Sequence, residues 1–164
     1  MSVASHREEF VCRYGGVYEH SPWVAEESFA DAANTDDVDE LARIFAECVN
    51  RADHERKLAL IRAHPDLAGR AAVSGELTDE SDMEQASAGI DQCTAQEYEQ
   101  FQELNEKYKD KFGFPFIMAV RGSNRRDILA AFADRLANDE RIEFEMAISE
   151  IHKIARLRLK ELMT

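Results

Sequence analysis

Apolar residues recur at spacings of three and four along most of this chain, the period of a helix that buries one face. Leu41, Ile44, Phe45, Cys48 and Val49 form one such run, and Leu58 and Ile61 continue it after Asp53. Residues 97–111 repeat the pattern through Tyr98, Phe101, Leu104 and Tyr108. Residues 124–136 do so again, with Ser123 or Asn124 as the N-cap and Ile128, Leu129, Phe132 and Leu136 facing inward. The last run, 139–162, is the longest. Breaks fall at Gly15-Gly16, at Ser21-Pro22, from His64-Pro65 to Gly75, and at Phe112-Gly113-Phe114-Pro115. Segment 116–120 alone reads as a strand. A lone strand has nothing to pair with, so an extended, buried stretch is expected there. No repeat, low-complexity tract or linker divides the chain, and the pattern predicts one all-α domain over residues 1–164.

Charge narrows the partners. The chain has 33 acidic and 20 basic residues in 164, a formal net charge of −13. Such a surface repels phosphate backbones and anionic membranes, so neither nucleic acid nor a membrane is expected as a partner. The acidity itself reads as solubility or adaptation to a salty cytoplasm. An apolar share of 45% is ordinary for a globular protein. Cys12, Cys48 and Cys93 lie far apart and match no metal-ligand or redox spacing, which suits a reducing compartment. The first residues carry charge and no apolar core of a signal peptide, and the last four are not a peroxisomal address. A cytoplasmic protein is expected.

Chemistry concentrates at a few positions. In the run Ile61-Arg62-Ala63-His64-Pro65-Asp66-Leu67-Ala68-Gly69-Arg70, the proline forces the preceding helix to end near His64. That imidazole is either a cation at a helix C-terminus or a catalytic group on a loop fixed by rigid elements. Arg158 interrupts the stripe Phe144, Ile148, Ile151, Ala155 and Leu162, while Arg156 and Lys160 fall on the solvated side. A guanidinium so placed either snorkels to solvent at the helix end or needs an acceptor, from an internal salt bridge or from a substrate carboxylate. Ser81 and Glu84 fit a capping box, and a helix start also offers outward N–H groups to an anion. Around Glu19-His20-Ser21-Pro22-Trp23 a helix start is predicted, with Ser21 capping and Pro22 at the first position. His54-Glu55 begins like a zinc motif but lacks the second histidine, and no phosphate or dinucleotide loop occurs, so no metal or cofactor is expected.

Several segments together carry a resemblance. They are Gly15-Gly16-Val17-Tyr18-Glu19-His20-Ser21-Pro22-Trp23-Val24-Ala25, Ala63-His64-Pro65-Asp66-Leu67-Ala68, Ser81-Asp82-Met83-Glu84-Gln85 and Phe112-Gly113-Phe114-Pro115-Phe116, with Ile151-His152 and Leu157-Arg158-Leu159. They closely resemble the 2-oxo-4-hydroxy-4-carboxy-5-ureidoimidazoline (OHCU) decarboxylase family, over nearly the whole chain and in the family's order. The resemblance implies a helical bundle of that type, often a homodimer, working without metal or organic cofactor. It implies the last step of urate oxidation, from OHCU to S-allantoin and carbon dioxide. His64 then matches the catalytic histidine, with Pro65 beside it at the substrate site. Ser81, Asp82, Met83, Glu84 and Gln85 match the segment that contacts substrate. Phe116, Ile117, Met118, Ala119 and Val120 match the stretch whose backbone binds the heterocycle, and Arg158 matches the active-site arginine. Met118 and Arg121 are given no side-chain role.

On that resemblance, carbon dioxide leaves from the carbon bearing the hydroxyl, and the adjacent C=N absorbs the electron pair. His64 would protonate one face of the enediol-like intermediate as general acid. Glu84 would orient ring N–H groups or take the hydroxyl proton. A carboxylate held tightly by Arg158 would be stabilised in the ground state as well, so Arg158 is expected to position substrate or meet charge that develops elsewhere. Two other readings stand beside this one: a lyase or hydrolase acting on another ureido or hydantoin-like compound, and a helical ligand-binding or dimerisation module without catalysis.

Overall fold

The structure, a computed structural model, describes residues 3–68 and 77–164. Gly69, Arg70 and the predicted break as far as Gly75 lie outside the described residues. Among those described there are eight α-helices and no strand, as the helical period predicts. They are α1 (Val3–Tyr14), α2 (Trp23–Ala32), α3 (Val38–Arg51), α4 (His54–Ala63), α5 (Asp79–Ser87), α6 (Ala95–Phe112), α7 (Arg125–Arg135) and α8 (Glu140–Leu162). A single 3-10 turn, Ile90–Gln92, follows α5.

Local chemistry sets the ends. Asp37, Asp53 and Asp139 each accept a backbone N–H three residues on, at 2.8 Å, and so open α3, α4 and α8. Asn124, not Ser123, caps α7 through the Asp127 N–H at 2.9 Å. Helix α4 stops at Ala63, one residue before His64, as Pro65 requires. Gly113 ends α6 with φ +77°, a conformation that costs little without a Cβ.

Three expectations about starts and faces are corrected. Helix α5 opens at Thr78, whose hydroxyl accepts the Ser81 N–H, so Ser81 sits inside the first turn and forms no box with Glu84. The reciprocal capping box belongs to Thr94 and Glu97 at α6. Ser21 does not cap α2: its hydroxyl donates to the Glu19 carbonyl at 2.9 Å, while Pro22 takes helical dihedrals just before Trp23. Leu129 and Leu136 are only half-buried, and Leu162 is 44% exposed, so the stripe of α8 ends at Leu159.

The chain divides into two compact units. One holds α1 to α4 with the end of α8 from Ile151; the other runs from His64 to Glu150. In the first, α1 packs on α2 and α2 on α3, around Phe10, Tyr14, Phe29 and Phe45, whose rings meet in tilted and edge-on contacts. Gly15 turns the chain after α1 where a Cβ would meet the Val11 carbonyl at 2.5 Å. In the second, α6 packs on α7. Tyr108 stands at the centre of Phe112, Phe114, Phe116 and Phe132. Such rings supply a large share of apolar burial in a domain of this size.

Candidate active site

The loop that carries His64 is held by side chains of α5 and α6. His64 is 8% exposed, Pro65 and Asp66 are half-buried, and Leu67 and Ala68 are buried. Gln85 of α5 accepts the Ala68 N–H at 3.1 Å and donates to the Asp66 carbonyl at 3.3 Å. From α6, Gln102 donates to the Ala68 carbonyl at 2.6 Å and Asn105 to that of Leu67 at 2.9 Å. Lys109 closes the set with an ion pair to Asp66 at 2.6 Å. Ala68 has φ +51°, a left-handed conformation that strains any residue with a Cβ by about 1–2 kcal/mol. Both of its backbone polar groups are bonded to side-chain amides, and this is what keeps it there.

The predicted substrate segment splits on α5. Ser81 and Gln85 are buried, one turn apart on the inner face, and Glu84 is half-buried beside them. Asp82 is exposed and Met83 is 60% exposed, so their side chains point to solvent, away from that face. Five consecutive helical residues cannot share one side. Segment 116–120 forms neither helix nor strand and is largely shielded, as expected of a buried stretch: Phe116, Ile117 and Val120 are buried, Met118 and Ala119 half-buried. His64, the α5 face and this segment all belong to the second unit.

Arg158 lies in the first unit. It is 3% exposed and donates to Glu19 Oε2 at 2.7 Å and to the Gly16 carbonyl at 3.2 Å. The acceptor of the interrupted stripe is thus a carboxylate of the chain itself, from the Gly15-to-Ala25 segment. The same unit holds a polar triplet. His152 Nε2 faces Asn50 Oδ1 at 3.1 Å, and its Nδ1 faces the Tyr18 hydroxyl at 2.8 Å. Asn50 Oδ1 can only accept, so Nε2 carries the proton and Nδ1 accepts from Tyr18. Burial, with Lys57 as a second cause, lowers the His152 pKa to about 4, and burial pushes the Tyr18 hydroxyl upward.

Four polar residues of the second unit were not anticipated. Asn105, with Phe101, Tyr108 and Phe112, completes the buried face of α6, where Leu104 is only half-buried. Arg135 follows Phe132 by three on the buried face of α7, and Glu143 precedes Ala147 by four on that of α8. Their helical spacing was the available signal. Gln102 gave none. Among the described residues, an open cleft of about 760 Å³ runs along α1 and α2 and another of about 530 Å³ lies beside Ala68, Ile90 and Tyr98.

Comparison with known proteins adds to this geometry. The family profile described as OHCU decarboxylase matches residues 4–160. An OHCU decarboxylase of Haloferax volcanii is 46% identical over 154 residues, covering 94% of this chain and 89% of that protein. A uric acid degradation bifunctional protein of Bacillus subtilis is 42% identical, over 92% of this chain and 29% of its own length. Among solved structures, an (S)-allantoin synthase aligns with TM-score 0.74 and 34% identity, over 99% of this chain and 54% of that one.

Proposed function

The chain belongs to the OHCU decarboxylase family and decarboxylates OHCU in urate degradation, and we propose that it does so with His64 as the proton donor that sets one hand of allantoin. The observation that carries the reading is the 46% identity to a curated OHCU decarboxylase along nearly the full length of both proteins. The clamped loop supports the role of His64. A general acid contributes only when its proton is held within reach of the reacting atom; four side-chain hydrogen bonds fix the main chain beside this imidazole, and an ion pair holds the Asp66 side chain.

In the proposed reaction the bond from the ring carbon to the carboxylate breaks. Its electron pair moves into the adjacent C=N, and carbon dioxide departs. His64 then gives a proton to one face of the enediol-like intermediate while its hydroxyl proton passes, by way of Glu84 or solvent, to the nitrogen that took the pair, and S-allantoin results. Glu84, with Ser81 and Gln85 on the same helix, orients the ring N–H groups or takes the hydroxyl proton. Gln85 has one amide hydrogen beyond those its loop contacts use. Asp82 and Met83 belong to this segment through their main chain only. The backbone of Phe116, Ile117, Met118, Ala119 and Val120 meets the heterocycle, Pro65 flanks it, and Arg158 positions substrate or meets developing charge.

The same proposal takes residues 1–164 as one family domain, since the family profile runs through both units. It takes the active species as a cytoplasmic homodimer that needs no metal or organic cofactor. No helix among the described residues is long and apolar enough to cross a membrane.

The test generates OHCU freshly from urate and follows the product by circular dichroism. OHCU decays spontaneously to racemic allantoin, so the expected result is a faster signal of one hand. Racemic product at the uncatalysed rate overturns the reading. His64→Asn is expected to lose about two to four decades of rate with helicity intact. Near-normal turnover in that variant would assign the proton to another group.

A further inference from the structure

Segment 116–120 has to keep its shape without a sheet. Among the described residues, positions 116–119 make no hydrogen bond to other backbone, and the Val120 carbonyl takes only the Ser123 N–H, at 2.9 Å. The Ile117 carbonyl is bonded instead by a side chain: Arg135 Nη1 donates to it. The same guanidinium donates from Nε to Glu143 Oε1 at 2.8 Å and lies 4.4 Å from the centre of the Phe116 ring. That ring stacks on Phe132, centroids 3.9 Å apart. Arg135 therefore grips the main chain at one residue and the side chain of its neighbour.

Glu143 is built to hold the arginine still. It is 0% exposed, and it also accepts from the Tyr108 hydroxyl at 2.6 Å and from Asn138 at 2.9 Å. A buried ion pair is costly to desolvate, and an apolar pair of equal volume often serves stability as well or better. What an apolar pair could not do is bond the Ile117 carbonyl. The peptide plane makes that bond directional. In a trans peptide the carbonyl of one residue and the N–H of the next point to opposite sides. With its carbonyl turned to Arg135, Ile117 commits the Met118 N–H to the other side. That donor has no backbone acceptor among the described residues, and Met118 is half-buried.

We propose that Arg135, fixed by Glu143, is a positioning residue for the decarboxylation: by holding the Ile117 carbonyl it aims the Met118 N–H at an oxygen of the substrate's heterocycle. The inference rests on the reading above that segment 116–120 binds the ring. It assigns Arg135 no contact with substrate and no step in proton transfer.

The experiment compares two variants of the full chain. Arg135→Lys keeps a cation for Glu143 but loses the fork that also reaches Ile117. Tyr108→Phe removes one bond from Glu143 and leaves the fork in place. For R135K that is folded by far-UV circular dichroism, the expected result is a KM for fresh OHCU raised about ten-fold with kcat changed less than about three-fold, the pattern of lost uniform binding. Y108F is expected to lose stability while its KM stays within about two-fold of the starting protein. If R135K does not fold, Glu143→Gln takes its place, with the same rise in KM expected. A folded R135K or E143Q with unchanged KM overturns the proposal, and so does a rise in Y108F equal to that in R135K. Failure of the unmodified protein to make one hand of allantoin overturns the decarboxylase reading instead, before any variant is compared.

Discussion

Deleting the carboxylate of Glu19 would leave the Arg158 guanidinium buried without its charged partner. Both side chains are almost wholly shielded from water, and the pair is close, 2.7 Å from Nη2 to Oε2. Breaking a buried pair from one side costs about 3–5 kcal/mol, because the remaining charge stays desolvated. The Gly16 and Val17 carbonyls still accept from Arg158, at 3.2 and 3.5 Å, and these neutral acceptors recover only part of that cost. We therefore expect Glu19→Ala to lose about 3 kcal/mol or more. For a chain of this length each kcal/mol lowers Tm by roughly 2–4 °C, so the drop should be about 6–12 °C or larger. Glu19→Gln keeps an acceptor oxygen and loses the charge, and should cost about half as much. Thermal unfolding at neutral pH, followed by far-UV circular dichroism, measures both. A Tm drop in Glu19→Ala below about 2 °C would refute the reasoning, since it would mean that water or another group already solvates the guanidinium. Turnover at a temperature where the variant is folded then separates the structural from the chemical role of Arg158.

Two further perturbations test the polar groups of each unit. His152 has its pKa lowered to about 4, below the ordinary 6.5 of an unfolded histidine, so the unfolded chain takes up the proton first as pH falls. The contribution of the neutral ring is present above pH 6.5 and is lost progressively towards pH 4. The full difference is worth about 3 kcal/mol, and solvent screening at a half-buried ring leaves about 1–2. Urea midpoints at pH 7 and pH 5 should differ more for the unmodified protein than for His152→Asn; equal differences would mean that the ring is not held neutral. Gln102→Ala removes the 2.6 Å bond to the Ala68 carbonyl and is expected to cost about 1 kcal/mol. It should lower turnover as well, because the strained turn beside His64 is released. Unchanged kcat/KM in that variant would show that the loop keeps its form without the clamp.

The helices were legible because one-sided burial writes its period into the chain. Leu41, Ile44, Phe45, Cys48 and Val49 are all buried on α3, as their spacing predicts. Capping was legible only in part. Thr78, Ser81 and Thr94 offer the same hydroxyl chemistry, and a residue three positions earlier took the cap that Ser81 would have made. The place of Arg158 was readable from its stripe, but its partner was not. Glu19 is 139 residues away in sequence, and periodicity carries no information across that distance. Arg135 and Glu143 escaped for a related reason. A charged residue in a helical repeat reads as a boundary of the apolar face until its partner is known, and here each makes the other tolerable in the core.

One physical demand accounts for where these polar side chains sit. An all-helical fold satisfies its backbone within each helix, so an irregular stretch finds no neighbouring strand to bond. The stretches the proposed chemistry needs, the His64 loop and segment 116–120, are of that kind. Gln85, Gln102 and Asn105 bond the main chain of the first, and Arg135 bonds that of the second. Arg158 does the same for Gly16 in the other unit. Each such side chain is itself buried or half-buried. Truncating an apolar core residue lowers stability roughly in proportion to the atoms removed. Truncating the donors on the His64 loop or on segment 116–120 instead frees a short segment to change direction, and the groups on those segments are the ones proposed to meet the substrate. Activity should therefore fall faster than stability at Gln102 and Arg135, and in step with stability at Phe101 or Ile128, which bury side chains and hold no loop.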